Sequence, residues 1–125
     1  MNVLLWVLQI LLAVAFFAHG WLLLAPPASM VEQMKEMPAA LRVFIGVAEV
    51  LAAIGLTLPG VTRVMPWVIS WAAAGLMIVM LGAITLHISR GEVGPSITTT
   101  ILLALLTFVA YMRWKVKPIV PRTPA

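Results

Sequence analysis

The chain has 125 residues, of which 63% are hydrophobic and only 10% are charged. A soluble domain of this length would leave much of that apolar surface in water, so the composition excludes an ordinary soluble fold and indicates a protein dissolved in lipid. The formal charge of +4 comes without a basic stripe that interleaves aromatic side chains, so no nucleic-acid partner is expected. The chain has no cysteine, which excludes disulfides and thiolate metal sites.

Four long apolar segments follow one another along the chain. They cover about residues 3–24, 43–58, 67–88 and 97–112. A helix needs about 20 residues to cross the hydrocarbon core of a bilayer, and these continuous runs lack the alternation of a barrel strand. The sequence therefore predicts an all-α integral membrane four-helix bundle, with residues 1–125 forming a single membrane domain. The first segment lacks a basic start and is too long for a cleaved signal peptide, so we expect it to be retained.

The connections between these segments differ in character. Pro26 and Pro27 are expected to end the first helix. Residues 29–37 then carry apolar side chains at helical spacing with charged ones opposite, which is typical of a short interfacial helix or of a plain helical loop. Residues 59–66 and 89–96 are predicted to be tight turns. The basic, proline-rich residues 113–125 are predicted to form an extended tail.

The lysine and arginine residues predict the orientation of the bundle. Of the eight, five lie on the side of the two termini: Arg63, Arg113, Lys115, Lys117 and Arg122. This excess predicts cytoplasmic N- and C-termini, in a multi-pass protein with the compact style of the bacterial inner membrane. Small residues let membrane helices approach closely, so Gly46, Gly75 and Gly82 are expected at helix contacts.

Polar side chains from all four predicted helices lie toward the end of the bundle opposite to the termini. His19 precedes the end of its segment by five residues, roughly 8 Å, and Glu49 lies roughly 10 Å below Arg42. His87 ends the third segment, and residues 98–100 are threonines that open the fourth. Ionisable groups in hydrocarbon are costly and normally face partners inside the bundle. Either they form one polar pocket that opens to the outer leaflet, or Glu49 is a structural clasp that pairs with His19 or Arg42.

A pocket of this kind is predicted to use Glu49, His19 and His87 as its catalytic acid–base groups. Four further residues toward the same end are predicted to contact the ligand: Arg42, Trp21, Thr85 and Thr98. A glutamate beside a histidine can pass protons, as quinone and transporter sites require. The histidines and the glutamate lack HxxxH or HExxH spacing, so no metal site is predicted.

Three stretches of the chain resemble the DoxX-like family. The family's second helix has the pattern G-x-x-E-x-x-x-x-x-G-L-x-L-P, which is similar to "GVAEVLAAIGLTLPG" here. Its third helix often ends in G-A-x-x-T-H-x-x-x-G-E, which resembles "MLGAITLHISRGE", and its first helix ends much like "AHGWLLL". Two departures stand out. Leu23 and Leu24 replace a lysine that is common in the family, and the threonine before the histidine is shifted to Thr85.

The resemblance implies a small four-helix membrane protein in which Glu49 and His87 match family positions well, and His19 and Arg42 match fairly. The family's namesakes look like the membrane subunit of thiosulfate:quinone oxidoreductase, and other relatives are partners of redox or detoxification enzymes or act as receptor-assembly chaperones. Because this chain has neither cysteines nor pairs of haem ligands, a partner protein would have to supply the electrons.

The expected function is therefore the binding of a hydrophobic or quinone-like ligand by a membrane subunit of an oxidoreductase system. Quinone is the expected cofactor, and none is expected to be intrinsic to the chain. Two alternatives stay open, a stand-alone acid–base membrane enzyme that acts on a lipophilic substrate and a non-catalytic assembly or scaffold protein. Assembly with a redox partner or with further copies of the chain also stays open.

Overall fold

The computed structural model describes residues 1–35 and 38–121, and this part of the chain contains helices and no strands. The elements are α1 (Asn2–Leu24), α2 (Ala28–Met34), α3 (Ala39–Thr62), α4 (Val68–Ser89), α5 (Val93–Tyr111) and a π-helical turn (Met112–Val116). Four of them are long and apolar enough to cross a membrane: α1, α3, α4, and α5 together with the π-helical turn. The predicted all-α bundle of four membrane-spanning helices is confirmed.

The long helices pack around one apolar core. α1 packs mainly against α3, α4 packs mainly against α5, and the contact between α3 and α4 joins the two pairs. Residues from all four helices form the core: Leu5, Leu12, Phe16, Leu56, Ile69, Leu76, Leu106 and Val109. The outer surface is apolar as well, since Trp71 and Ile78 are 71% and 72% exposed. Such a surface is stable in lipid, whose acyl chains contact these side chains.

The two ends of the bundle differ in what they contain. Arg113 donates a hydrogen bond to Asn2 Oδ1 over 2.8 Å, so the start of α1 and the π-helical turn meet at one end, here called the terminal end. The turn between α3 and α4 lies there too. The opposite end, here called the far end, carries α2 and the turn between α4 and α5. Which end faces the cytoplasm stays a prediction.

Helix α3 is longer at both ends than the apolar run of residues 43–58. It begins directly after Pro38 and includes Arg42 in its first turns. Pro59 lies inside its last turns, where its missing N–H removes one backbone hydrogen bond while the helix continues to Thr62. The chain then turns at Arg63, whose φ of 56° is left-handed. The turn predicted at residues 59–66 therefore begins later, because a proline near a helix end does not have to stop the helix.

Helix α5 also begins earlier than predicted, at Val93 instead of near residue 97. Pro95 lies in its first turn, where a backbone N–H has no partner within the helix, so the proline costs no hydrogen bond. The serine and threonines that follow are helical, and each hydroxyl donates to a carbonyl oxygen four residues earlier. The predicted turn at residues 89–96 is therefore shorter, and it centres on Gly91 with a φ of 70°.

The short helix and the tail also differ from their predicted extents. α2 ends at Met34 and Lys35 follows, while the last two residues of the predicted helix, 36 and 37, lie outside the described residues. The tail is not extended from residue 113, because residues 112–116 continue α5 as a π-helical turn. The Lys117 N–H donates to the Met112 carbonyl over 2.6 Å and closes this turn. Residues 122–125 of the predicted tail lie outside the described residues.

The glycines divide into two groups. A β-carbon built on Gly46 would lie 2.9 Å from Leu24, and one built on Gly55 would lie 3.0 Å from Ala72. Both glycines are therefore at helix contacts, as expected for Gly46. The same expectation is wrong for Gly75 and Gly82, around which nothing described lies within 4 Å of such a carbon. The core side of α4 is formed by larger residues, so these glycines are left on its lipid-facing side.

Candidate functional site

Two glycines face each other in the contact between α1 and α3. A β-carbon built on Gly20 would lie 2.8 Å from the carbonyl oxygen of Gly46 and 3.1 Å from the β-carbon of Glu49. Separations below 3.0 Å do not occur between such atoms, so the two backbones reach this distance only because position 20 has no side chain. The result is that residues next to Gly20 come within hydrogen-bond reach of Glu49.

His19 and Glu49 form a hydrogen-bonded pair across this contact. His19 Nδ1 lies 2.7 Å from Glu49 Oε2. The Glu49 side chain is only 1% exposed, whereas the His19 side chain is 61% exposed. When Glu49 is ionised, its carboxylate accepts a hydrogen bond from the Nδ1–H of His19, and Nε2 is then the imidazole nitrogen left to exchange a proton with another molecule. The pair therefore combines a buried, orienting carboxylate with an accessible imidazole.

The exposure of His19 is unusual for its position on α1. His19 follows the buried Leu12 and Phe16 by seven and three residues, which places all three on one stripe of the helix. That stripe faces the core at Leu12 and Phe16, yet the neighbouring helices do not cover it at His19. The imidazole is therefore open to whatever surrounds the bundle at this depth, roughly 8 Å from the end of α1.

Arg42 lies at the same end but does not pair with Glu49. Its guanidinium donates to the carbonyl oxygen of Leu23, which is near the C-terminus of α1. A basic group there satisfies a carbonyl that has no partner within the helix and interacts favourably with the helix dipole. Of the two partners predicted for Glu49, the one that it contacts in the structure is His19. Arg42 instead joins the start of α3 to the end of α1 through its hydrogen bond to Leu23.

His87 pairs with a carboxylate other than Glu49. Its Nδ1 lies 3.0 Å from Glu92 Oε1, and the Glu92 N–H donates to the His87 carbonyl over 2.9 Å. Both contacts close the turn between α4 and α5 around Gly91. His87 is therefore held by its own turn, and the structure does not bring it to His19 and Glu49.

The remaining predicted ligand contacts make no described hydrogen bond to the pair. Trp21 is 58% exposed on the surface of α1. The hydroxyls of Thr85 and Thr98 donate to the carbonyls of Leu81 and Gly94, over 2.9 and 3.3 Å, which is how a hydroxyl on a lipid-facing helix is satisfied. Within residues 1–35 and 38–121, no three His, Asp or Glu side chains are grouped closely enough to hold a metal ion.

Two grooves run along the surface of the bundle. One, of about 430 Å³, lies beside the α4–α5 turn and is lined by Ile88, Glu92, Val93, Ile97 and Ile101 among others. The other, of about 390 Å³, follows the contact between α1 and α3, and its lining includes Ile10, Val14, Phe17, Ala18, Ile54 and Thr57. Ala18 directly precedes His19 in sequence, but neither His19 nor Glu49 is among the residues that line this groove.

A second buried polar group lies at the terminal end, where the sequence predicted only a basic tail. Gln9 is fully buried in α1 and donates from Nε2 to the Leu56 carbonyl over 2.8 Å. Its Oε1 accepts a hydrogen bond of 2.7 Å from Nε of Arg113, which is also buried. The one available signal in the sequence was an amide in an otherwise apolar half-helix. Nothing in the sequence pattern pairs it with a residue 104 positions away.

Four helices that are long and apolar enough to cross a membrane define a multi-pass integral membrane protein in contact with the lipid bilayer. The family model described as the DoxX-like family matches residues 7–110, a range that reaches into all four spanning helices. The chain belongs to the DoxX-like family, so the predicted resemblance to that family is confirmed. No curated protein and no solved structure matches the chain. His19, Glu49 and His87 lie within the matched residues, whereas Arg113 lies beyond them.

Proposed function

We propose that the protein binds a hydrophobic, quinone-like ligand at the His19–Glu49 pair and serves as the membrane subunit of an oxidoreductase system. The observation that carries this proposal is the contrast within the pair, a carboxylate that is 1% exposed against an imidazole that is 61% exposed. A polar ring exposed to hydrocarbon is costly, and a ligand that hydrogen-bonds to His19 would remove that cost.

The chemistry of the pair suits a ligand with a carbonyl or hydroxyl oxygen. The imidazole Nε2 can donate a proton to a carbonyl oxygen as the ligand is reduced, or accept one from a hydroxyl as it is oxidised. Glu49 orients the ring through Nδ1 and stabilises the imidazolium form that exists between these steps. Because the chain has no cysteine, we assign the supply of electrons to a partner protein.

The path to the pair runs through the lipid. The side chain of His19 is 61% exposed on the outer surface of α1, so a ligand dissolved in the bilayer can reach the imidazole directly. Entry from the bilayer requires no aqueous channel, so the outward position of the imidazole is the arrangement that such a ligand needs.

The test uses the full chain, purified in detergent, with a short-chain ubiquinone analogue as the probe. Binding stabilises a protein in proportion to the logarithm of the probe concentration over Kd, so the rise in Tm measures affinity. We expect the probe to raise the Tm of the wild type and of His87→Ala, and to leave His19→Ala and Glu49→Gln unchanged. Equal shifts in all four proteins would overturn the assignment of the ligand to this pair.

The same experiment separates the alternatives. If Glu49→Gln lowers the Tm of the free protein but keeps the probe-induced rise, the pair is a structural clasp, as in an assembly or scaffold protein. If the purified chain turns over a lipophilic substrate without any partner, it is a stand-alone acid–base enzyme. If His19→Ala and Glu49→Gln lose the probe-induced rise in Tm, and if reaction of the bound ligand requires electrons from a partner protein, the oxidoreductase subunit is supported.

We also propose that the terminal end faces the cytoplasm, in a bacterial inner membrane, because lysine and arginine are more numerous there. The chain has no cysteine, so single cysteines report on orientation without background. In intact cells, an impermeant thiol reagent should label Ala28→Cys at the far end and spare Pro121→Cys at the terminal end. The reverse pattern of labelling would contradict this orientation.

A further inference from the structure

Arg113 is a buried cation, and one of its nitrogen donors has no partner in the described part of the chain. Its side chain enters the bundle from the π-helical turn and is 5% exposed. Nε donates to Gln9 Oε1 over 2.7 Å, while Nη1 donates to Asn2 Oδ1 over 2.8 Å and to the Lys117 carbonyl over 3.0 Å. Nη2 is buried and has no hydrogen-bond partner among the described residues. A guanidinium centred 5.6 Å above the Trp6 ring is thus hydrogen-bonded on two of its three nitrogens.

No described carboxylate balances this charge. Glu32 pairs with Lys35, Glu49 with His19 and Glu92 with His87, and all three of these pairs lie away from the terminal end. The fourth acidic residue, Glu36, lies outside the described residues. Every described hydrogen-bond acceptor around Arg113 is an uncharged amide or carbonyl oxygen. A buried cation without an opposite charge is strongly destabilising, so an anion from outside the chain is the natural counter-charge.

The surroundings of Arg113 favour an anion over a neutral ligand. Three further basic residues among those described at the terminal end are exposed: Arg63, Lys115 and Lys117. Trp67, Tyr111 and Trp114 are exposed at the same end, as expected for the level at which lipid headgroups meet the bundle. Basic pockets between membrane helices at this level bind the headgroups of anionic lipids.

The segment that covers the guanidinium is short. The carbonyl of Lys117 accepts a hydrogen bond from Nη1 of Arg113. Two residues later, Ile119 packs against Gly60. A β-carbon built on Gly60 would lie 2.7 Å from Trp6 and 2.9 Å from Ile119, so only glycine leaves room for this contact. Pro118 and Val120 on either side of Ile119 are exposed. An anion that replaced the single carbonyl of Lys117 would face Nη1 and Nη2 together, and a planar guanidinium binds phosphate through two such parallel hydrogen bonds.

We propose that Arg113 anchors a binding site for a phosphate group at the terminal end, with the headgroup of an anionic phospholipid as its source. Gln9 and Asn2 hold the guanidinium in place, and the residues from Lys117 to Ile119 form the cover that the headgroup displaces. This site is independent of the proposed function of the His19–Glu49 pair. It lies at the opposite end of the bundle and would stand if the ligand proposal failed.

The experiment measures lipid binding to the purified full chain by native mass spectrometry, with phosphatidylglycerol and phosphatidylcholine as probes. We expect the wild type to retain phosphatidylglycerol at roughly tenfold lower lipid concentration than phosphatidylcholine, since charge-assisted bidentate pairs are strong. Arg113→Lys keeps the charge but loses the two-pronged geometry, and we expect it to lose that preference together with Arg113→Gln. The matched control Arg63→Gln removes an exposed charge at the same end and should keep the preference.

Two outcomes would overturn the proposal. One is a wild type without preference for phosphatidylglycerol. The other is an equal loss in Arg63→Gln and Arg113→Lys, which would mean that general surface charge attracts the lipid. If Arg113→Gln does not fold, Arg113→Lys and the rise in wild-type Tm with phosphatidylglycerol still decide the question. An excess of inorganic phosphate distinguishes the sources. If excess phosphate does not displace phosphatidylglycerol, the lipid headgroup is supported as the source of the phosphate group. If phosphate displaces the lipid and this displacement depends on Arg113, free phosphate is the ligand instead of the headgroup.

Discussion

Gly20 and Gly46 bring α1 and α3 so close that a β-carbon on Gly20 would lie 2.8 Å from the Gly46 carbonyl oxygen. The His19–Glu49 hydrogen bond, over 2.7 Å, forms beside this contact. The spacing of the helices and the geometry of the candidate site therefore have the same cause. A change at Gly20, which carries no chemistry itself, should act on both.

Gly20→Ala should separate the two helices and weaken the pair. The added methyl group meets backbone that cannot move aside, and overpacking of this kind costs about 1–3 kcal/mol. Gly75→Ala is the matched control, since nothing described lies within 4 Å of its new carbon. Unfolding in detergent followed by circular dichroism should show a lower stability for the first variant only. Equal stabilities would mean that the contact is looser than described.

The His19–Glu49 pair should show energetic coupling. In a double-mutant cycle with His19→Ala and Glu49→Gln, we expect a coupling free energy between the average of about 0.6 kcal/mol and the maximum of about 1.7 kcal/mol measured for hydrogen bonds between membrane helices. Titration with a denaturing detergent supplies the four unfolding free energies. Additive effects would show that the two side chains are neighbours without a stabilising bond.

His87→Ala should have a small effect on stability. The His87–Glu92 pair spans a turn and both side chains are partly exposed, and exposed ion pairs contribute about 0–1 kcal/mol. The change in unfolding free energy should therefore stay below that of His19→Ala combined with Glu49→Gln. A larger loss would show that the turn between α4 and α5 contributes more to the bundle than its local contacts indicate.

Gln9→Ala should be more damaging than its uncharged side chain suggests. It removes the hydrogen bond to the Leu56 carbonyl and leaves Nε of the buried Arg113 without its partner, which together cost about 2–5 kcal/mol. Val14→Ala is the matched control on the same helix, because Val14 is exposed to lipid. The comparison of their unfolding midpoints measures the difference, and similar midpoints would contradict the buried network.

Much of the fold could be predicted because lipid restricts the possible structures. The apolar runs predict four spanning helices, and the fixed rise of a helix predicts that His19 and Glu49 lie at similar depth, where the structure indeed joins them. The helix ends were less predictable, since Pro59 and Pro95 lie inside helices. The sequence predicts Arg113 as a residue of the extended tail, because charged residues near a terminus are usually exposed to solvent. Its partners Gln9 and Asn2 are too distant in sequence for the pattern to indicate the contact.

The hydrogen bond between Asn2 and Arg113 joins residues separated by 111 positions. Asn2 and Gln9 are therefore synthesised more than 100 residues before Arg113. The polar cluster at the terminal end cannot close before Arg113 has been made, so the early part of α1 waits for its charged partner. Truncated chains that end before residue 113 should therefore insert their helices without acquiring the stability of the 125-residue chain.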